Sequence, residues 1–236
     1  PGAAVLDHVE KLWLEVGNIK NIAAQYGAQD HGRLTIATTH TQARYVLPEK
    51  ISAFQHRYPH VHLSLLQGSP QEIQNQLLAG EADIGIATEA LANVPELETL
   101  SYYAWRHSVV VPTGHALTQL LPENLDLAML CAQPMITYHA GFTGRAKIEL
   151  AFAKAGLQPN IVLSALDADV IKTYVRVGLG IGIIAEMAFD PVRDADLACI
   201  SLAHLWSENI TMLAWRKGQF MRTFVQYFLD LCLNKI

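Results

Sequence analysis

The sequence predicts an α/β protein built mostly on parallel strands, with one β-α-β grammar used twice behind a leading amphipathic helix. Three observations predict it. From Arg33 onward, alternating or continuous apolar runs of strand length are separated by stretches of helical periodicity. The same alternation restarts at 134 and continues to 185. Ahead of both, Val5, Val9, Leu12, Val16, Ile19 and Ile22 follow one another at spacings of 4, 3, 4, 3 and 3, which places an apolar stripe on one side of a helix.

Composition narrows the class. A chain of 236 residues, 51% hydrophobic and 17% charged, is folded and long enough for one large domain or two small ones. No apolar run approaches the roughly 18 residues that span a bilayer, and acids fall inside the first ten residues, where a signal sequence would be apolar. The expected location is therefore cytoplasmic. Cys131, Cys199 and Cys232 are widely separated and have no CxxC partner, so buried free thiols are expected rather than a disulfide framework or a zinc site. With 17 Lys and Arg against 22 acids, a formal charge of -5 lacks the basic surface that neutralising DNA phosphates demands. If the protein touches DNA, another part of it does so.

The elements follow in order. The leading helix is stopped by the linker GAQDHG at 27–32, and its heptad-like stripe favours pairing with another chain over lying on its own domain. The first strand is 34–38. A helix then runs from 41 or 42 to 57, interrupted or redirected near Pro48, and 62–66 is the second strand. The segment 71–79 is amphipathic, with Ile73, Leu77 and Leu78 on one face and Gly80 as its C-cap, and ADIGIA at 82–87 is a buried third strand. A longer run, 102–112, leads to a short helix at 125–130. The second unit then has strand 134–138, helix 145–155 stopped by Gly156, strand 160–165, helix 169–177 and strand 181–185. Strand 211–215 and the strongly apolar helix 220–233 close the chain. That helix must cover a sheet, but periodicity does not say which unit it joins.

Five short polar clusters fall where strands give way to helices or turns: 38–42 (TTHTQ), 68–70 (GSP), 88–89 (TE), 141–144 (GFTG) and 167–169 (DAD). In open α/β sheets ligands gather beyond the carboxyl ends of strands, where free backbone N–H groups favour anions. Threonine hydroxyls beside such groups make a neutral cradle for a carboxylate or sulfate. The same residues are also ordinary N-caps, each stabilising by about 1 kcal/mol, and the local pattern leaves both readings open. The run GLGIG at 178–182 resembles a dinucleotide-binding glycine loop but has the wrong context: it follows a helix and leads into a strand, so a helix-to-strand turn is expected. No HExxH, GxSxG or GxxxxGK[ST] is present, and the ten histidines are scattered without ligand spacing. Glu89, Asp167 and Asp169 could make a paired-carboxylate site, yet nothing fixes their separation. Trp105, beside Arg106 and His107, either walls a pocket or simply packs. No catalytic residue, metal or cofactor is expected.

The string LTIATTHTQARYVLP at 34–48 resembles the opening of the effector domain in the CysB/Cbl branch of LysR-type transcriptional regulators. GSPQEI at 68–73, GEADIGIATEAL at 80–91, ITYHAGFTGR at 136–145 and DADVIKTYVRVGLGIGIIAEMA at 167–188 resemble the same branch, in the same order. The resemblance covers the chain from about 33 to its end and is weaker before that.

It implies a periplasmic-binding-protein-like α/β fold of two subdomains joined by crossover strands and preceded by a linker helix. The expected divisions are a dimerising linker helix at 1–32, subdomain I at 33–103 plus 208–236, and subdomain II at 104–207. The winged helix-turn-helix that reads DNA in the family is expected to be absent from this chain, with RNA polymerase a further partner of the full-length protein. The implied effector is N-acetylserine or O-acetylserine, with sulfate or thiosulfate able to take an anion site that bridges the subdomains. The family's anion-binding residues carry over onto Thr39, Thr41, Gln42, Thr88 and Thr143, and an aromatic near the effector onto Trp105. The implied role is control of cysteine biosynthesis and sulfur assimilation by a homodimer or homotetramer. The region 92–131 departs most from the branch, which leaves the exact effector open. A transporter's solute-binding protein shares the fold class, and an enzyme acting on an acetylated amino acid is a third reading.

Overall fold

The computed structural model describes residues 2–27, 30–142 and 144–235. Two five-stranded mixed sheets organise them, and the chain divides into two compact units. The first comprises Pro1–Thr38, Leu47–Tyr102 and Met212–Ile236; the second comprises Thr39–Val46 and Tyr103–Thr211. The expected divisions lay at 103/104 and 207/208. The units differ from them chiefly in giving Thr39–Val46, expected within subdomain I, to the second unit.

In the first unit the leading helix α1 spans Gly2–Gly27. Its predicted stripe is not packed on this unit: Val5, Leu12 and Ile19 are 61–65% exposed, and Val9, Val16 and Ile22 are exposed as well. A polar side holds it instead. Asn18 donates to Gly218 O at 3.0 Å and accepts from Phe220 N at 2.8 Å, and one helical stretch on, Gln25 accepts from Thr223 N at 3.0 Å. Two amides thus satisfy backbone groups of the segment 218–223.

The first sheet runs in the order β2-β1-β3-β10-β4, with β1 Gly32–Thr38, β2 Val61–Gln67, β3 Ile84–Thr88, β4 Leu97–Trp105 and β10 Asn209–Arg216. Strand β1 pairs in parallel with β2 and β3, as crossover connections require. The predicted helix after β1 is two: α2 His40–Tyr45 and α3 Leu47–Arg57. The break sits at Val46, because proline disfavours helix in the residues before it but is tolerated in a first turn, and Pro48 occupies the first turn of α3. Helix α4, Pro70–Leu78, is followed by Gly80 in the left-handed region at φ +71°. The C-terminal helix α8, Thr223–Cys232, belongs to this unit. Its Phe224, Phe228 and Leu229 are buried with Leu34, Ile36, Phe54, Ile84 and Ile86, each large side chain stabilising by roughly 1.5–3 kcal/mol.

The second sheet runs β7-β6-β8-β5-β9, with β5 His107–Pro112, β6 Met135–Tyr138, β7 Ile161–Ala165, β8 Ile181–Ala185 and β9 Leu197–Ser201. Strand β6 pairs in parallel with β7 and β8, but β5 pairs antiparallel with β8 and β9. The predicted single run 102–112 is therefore two strands, separated at Arg106, whose N–H donates to Glu186 Oε1 at 3.0 Å and whose carbonyl accepts from Glu186 N at 2.9 Å. Helices α5 Leu127–Cys131, α6 Arg145–Lys154 and α7 Ala168–Arg176 complete the unit. The glycine run is the expected helix-to-strand turn: Gly178 has φ +78° after α7, and a Cβ on Gly180 would lie 2.2 Å from Pro134 O. Of the three free thiols only Cys232 is fully buried; Cys131 and Cys199 are half-buried, which corrects the expectation for those two. No helix among the described residues is long and apolar enough to cross a membrane.

Candidate functional site

The polar clusters separate by what their side chains do. Ser69 and Asp167 are true caps. Ser69 Oγ accepts from Glu72 N at 3.2 Å while Glu72 Oε2 accepts from Ser69 N at 2.7 Å, a closed capping box whose Ser69 N–H holds the Glu72 carboxyl below its ordinary range. Asp167 Oδ1 accepts from Asp169 N at 2.7 Å and Val170 N at 3.1 Å at the start of α7. Thr39 and Thr88 occupy the same kind of position, extended at ψ 157° and 173° ahead of a helical turn, yet neither side chain makes a capping bond.

Around Thr39 the polar residues are buried. Thr39 is 4% exposed, Thr41 1% and Gln42 3%. In the same stretch, Thr38 Oγ1 at the end of β1 and His40 Nδ1 at the start of α2 are buried with no hydrogen-bond partner. Buried polar atoms are nearly always paired, and leaving one unpaired costs about 1–3 kcal/mol.

Gln42 is the residue whose surroundings are fullest. Tyr103 Oη donates to Gln42 Oε1 at 2.7 Å, and Gln42 Nε2 donates to Thr211 Oγ1 at 3.2 Å. Trp105 Nε1 donates to the same Thr211 oxygen at 3.1 Å. Trp105, at the end of β4, is only 2% exposed, so its indole belongs to this network and not to an open wall. Burial pushes the Tyr103 phenol up to about 12, which keeps it protonated and donating at neutral pH. The second unit thus brings Gln42 and Trp105 together through Thr211 and adds Tyr103 on the far side of Gln42, two residues that sequence reasoning had not singled out. Thr88 lies in the first unit, half-buried at the end of β3. Thr143 lies outside the described residues; next to it Gly144, at φ +69°, packs so closely that a Cβ would fall 2.4 Å from Asn209 Oδ1, itself a buried oxygen without a partner.

Helix α2 is tied down by charge. Asp169 accepts from Tyr45 Oη at 2.8 Å, pairs with Arg44, and meets Lys172 Nζ at 3.1 Å. Burial first, and the bond to Asp169 second, push the Tyr45 phenol above its ordinary range. Lys172, 3% exposed, also donates to Asp194 Oδ2 and Ala188 O, both at 2.7 Å, and Arg176 pairs with Asp194 at 2.7 Å and Asp196 at 2.8 Å. Here cations and carboxylates answer one another. Of the carboxylates weighed as a pair, Asp167 caps α7 and Asp169 is held by Arg44, Tyr45 and Lys172, so both are already engaged within the second unit; Glu89 belongs to the first unit.

Comparison with known proteins agrees with this architecture. Residues 27–236 match the family model described as the LysR substrate binding domain. Two regulators of Burkholderia cenocepacia, named HTH-type transcriptional regulator SsuR and HTH-type transcriptional regulator CysB, are each 48% identical over 231 residues, covering 98% of this chain and 74% and 73% of theirs. The solved cofactor-binding domain of the Cbl transcriptional regulator superposes with a TM-score of 0.82 at 49% identity, covering 87% of this chain and 90% of that one. The periplasmic-binding-protein-like fold, the neutral polar strand ends and these likenesses converge, and the chain belongs to the LysR substrate-binding-domain family, as an effector-binding domain of a LysR-type regulator related to CysB and Cbl.

Proposed function

We propose that this domain senses a small anionic metabolite for a transcription regulator of cysteine biosynthesis and sulfur assimilation, acting in the cytoplasm and not as an enzyme. The effector is N-acetylserine or O-acetylserine, with sulfate or thiosulfate able to take the anion position. Its oxygens are received by Thr39, Thr41 and Gln42, with Thr88 and Thr143 as further donors and Trp105 supporting Gln42 through Thr211. The observation that carries the reading is the segment 38–42: Thr38, Thr39, Thr41 and Gln42 are buried, yet Thr38 Oγ1 and the buried His40 Nδ1 are unpartnered and the Thr39 hydroxyl is unused as a cap. Such a set is costly unless a ligand or water completes it.

An effector acts only through the difference in its affinity for two arrangements of the protein, and DNA affinity shifts by no more than that difference. DNA contact is assigned to the part of the regulator outside this chain, and RNA polymerase is a further partner of the whole regulator. The chain associates as a homodimer or homotetramer, and the exposed stripe of α1 is the surface proposed to be shared between copies. Calorimetric titration of the chain with N-acetylserine, O-acetylserine, sulfate and thiosulfate tests the sensing role. Saturable binding of at least one, weakened in both Thr39→Ala and Gln42→Ala, is expected; binding by none of the four rejects the assignment.

A further inference from the structure

Within the first unit, α1 does not close fully on the body. Between the helix and the turn that joins α4 to β3 lies a cleft of about 280 Å³, with Trp13 and Gly17 of α1 on one wall and Asp83 and Arg216 on the other. A second cleft of about 380 Å³ adjoins it, shares Trp13 and Arg216, and adds Leu78 and Glu96. We propose that this groove is a small-molecule site separate from the segment 38–42, and that its ligand is a free α-amino acid with an apolar side chain.

Three features of the groove carry the assignment. The first is charge of both signs left unanswered. Arg216 is half-buried, yet among the described residues its guanidinium has no hydrogen-bond or ion-pair partner, and Glu96 likewise has no ion pair. Asp83 accepts from Thr35 N at 2.8 Å but has no ion pair either, and burial raises its carboxyl by more than that N–H and the more distant Arg222 and Arg33 offset. A plain anion in the groove would meet two carboxylates, and a plain cation would meet the guanidinium. A zwitterion answers both, its carboxylate on Arg216 in the forked geometry a guanidinium favours and its ammonium toward the acids. The second feature is Gly17. It stands within a 26-residue helix, where glycine is less favourable than alanine, and a Cβ there would meet nothing within 4 Å, so no neighbour demands a glycine. A side chain at that position would instead occupy the cleft. The third is the apolar wall. Trp13 lines both clefts while remaining 69% exposed, and Leu78 lies beside it, which gives an aliphatic or aromatic side chain a surface to cover. Liquid water takes roughly 30 Å³ a molecule, so the first cleft has room for about nine non-hydrogen atoms, the size of leucine. A ligand that spans both walls adds to the hold that Asn18 and Gln25 give α1, so occupancy of the groove and attachment of the helix are linked.

The test is calorimetric titration of the whole chain with L-leucine, L-methionine and L-phenylalanine, and with the N-acetyl and amide derivatives of each, which remove the ammonium and the carboxylate in turn. At least one free amino acid should bind saturably, with both of its derivatives weaker by at least roughly tenfold. Arg216→Gln should abolish the preference for the acid over the amide, and Gly17→Leu should abolish binding by filling the cleft. Both variants should titrate with the effector candidates as wild type does, and Thr39→Ala should bind the amino acid normally. The proposal is overturned if none of the three amino acids binds, if the derivatives bind as well as the parent, or if binding survives Gly17→Leu and is lost in Thr39→Ala, which would place the ligand at the segment 38–42. Either variant suffices if the other does not fold.

Discussion

Two polar knots in the second unit are assembled from similar numbers of side chains and teach opposite lessons. The knot on α7 is ionic and closed: Lys172 lies between Asp169 and Asp194, and Arg176 between Asp194 and Asp196. Each charge finds its counter-charge within the protein, so little is left with which to recognise anything else. The knot around Gln42 is neutral: a phenol, an amide, a hydroxyl and an indole. A neutral set can receive an anion without first giving up an ion pair. The first knot holds α2 against α7; the second sits on the residues α2 carries.

The contrast is sharpest in stability. Removing one partner of a buried ion pair leaves an uncompensated charge, and Lys172→Met is expected to cost about 3–5 kcal/mol in urea unfolding, with Lys172→Met/Asp194→Leu recovering most of the loss. A single variant within 1 kcal/mol of wild type would show that the knot is not a support at all. Its pH dependence has a definite sign. Burial alone would raise the Asp194 carboxyl, but hydrogen bonds from Lys172, the Asp190 N–H and Arg176 outweigh it and hold the carboxyl below its ordinary range. A carboxylate depressed in the folded state stabilises fully above its unfolded value of about 3.9, and that contribution is lost as pH falls through the folded value. Glu72, Asp190 and Asp196 are depressed too and add to the acid slope. The part due to Asp194 is the part that Lys172→Met flattens, read as the change in urea midpoint between pH 6 and pH 3.

At the neutral knot the large effect should fall on binding. Gln42→Ala is expected to weaken the effector roughly tenfold to a hundredfold, since one buried donor is worth about 1.4–2.7 kcal/mol at such a site. An unchanged dissociation constant for each of the four candidate effectors would place the ligand elsewhere. A middle-sized outcome concerns α1. Leu12→Glu with Ile19→Glu, both on the exposed stripe, should lower the assembly state in sedimentation equilibrium and leave the monomer folded, because neither side chain is buried in this unit.

The sequence made the clusters visible but not their partners. Thr39, Thr41 and Gln42 sit in one contiguous motif at a strand end, where local pattern is informative. Tyr103 and Thr211 lie 61 and 169 positions from Gln42, and only the strand order brings them to it. In the same way the alternation of elements announced two α/β series, while the antiparallel placement of β5 beside β8 and β9 left no local mark, since no tight hairpin turn joins those strands. Strand β9 escaped notice because its five residues are short and partly exposed. The split between β4 and β5 falls at Arg106, between two stretches of strand character, and it is marked by contacts with Glu186, 80 positions away, whose side chain accepts from the Arg106 N–H and whose N–H donates to the Arg106 carbonyl.

The smallest expected effect separates a cap from a ligand residue. Ser69 and Thr39 precede helices in extended geometry, and by sequence alone each is an N-cap. In the structure Ser69 completes a capping box and Thr39 caps nothing. Ser69→Ala should therefore lower stability by about 1 kcal/mol and leave effector affinity unchanged. Thr39→Ala should do the reverse, staying within about 0.5 kcal/mol of wild type in urea unfolding while weakening the effector. The comparison needs both readouts on both variants, because a threonine that does two small things would score on each axis. If Thr39→Ala destabilised as much as Ser69→Ala and bound normally, the hydroxyl at 39 would be a cap whose bond forms in solution, and the anion position would rest on Thr41 and Gln42 alone.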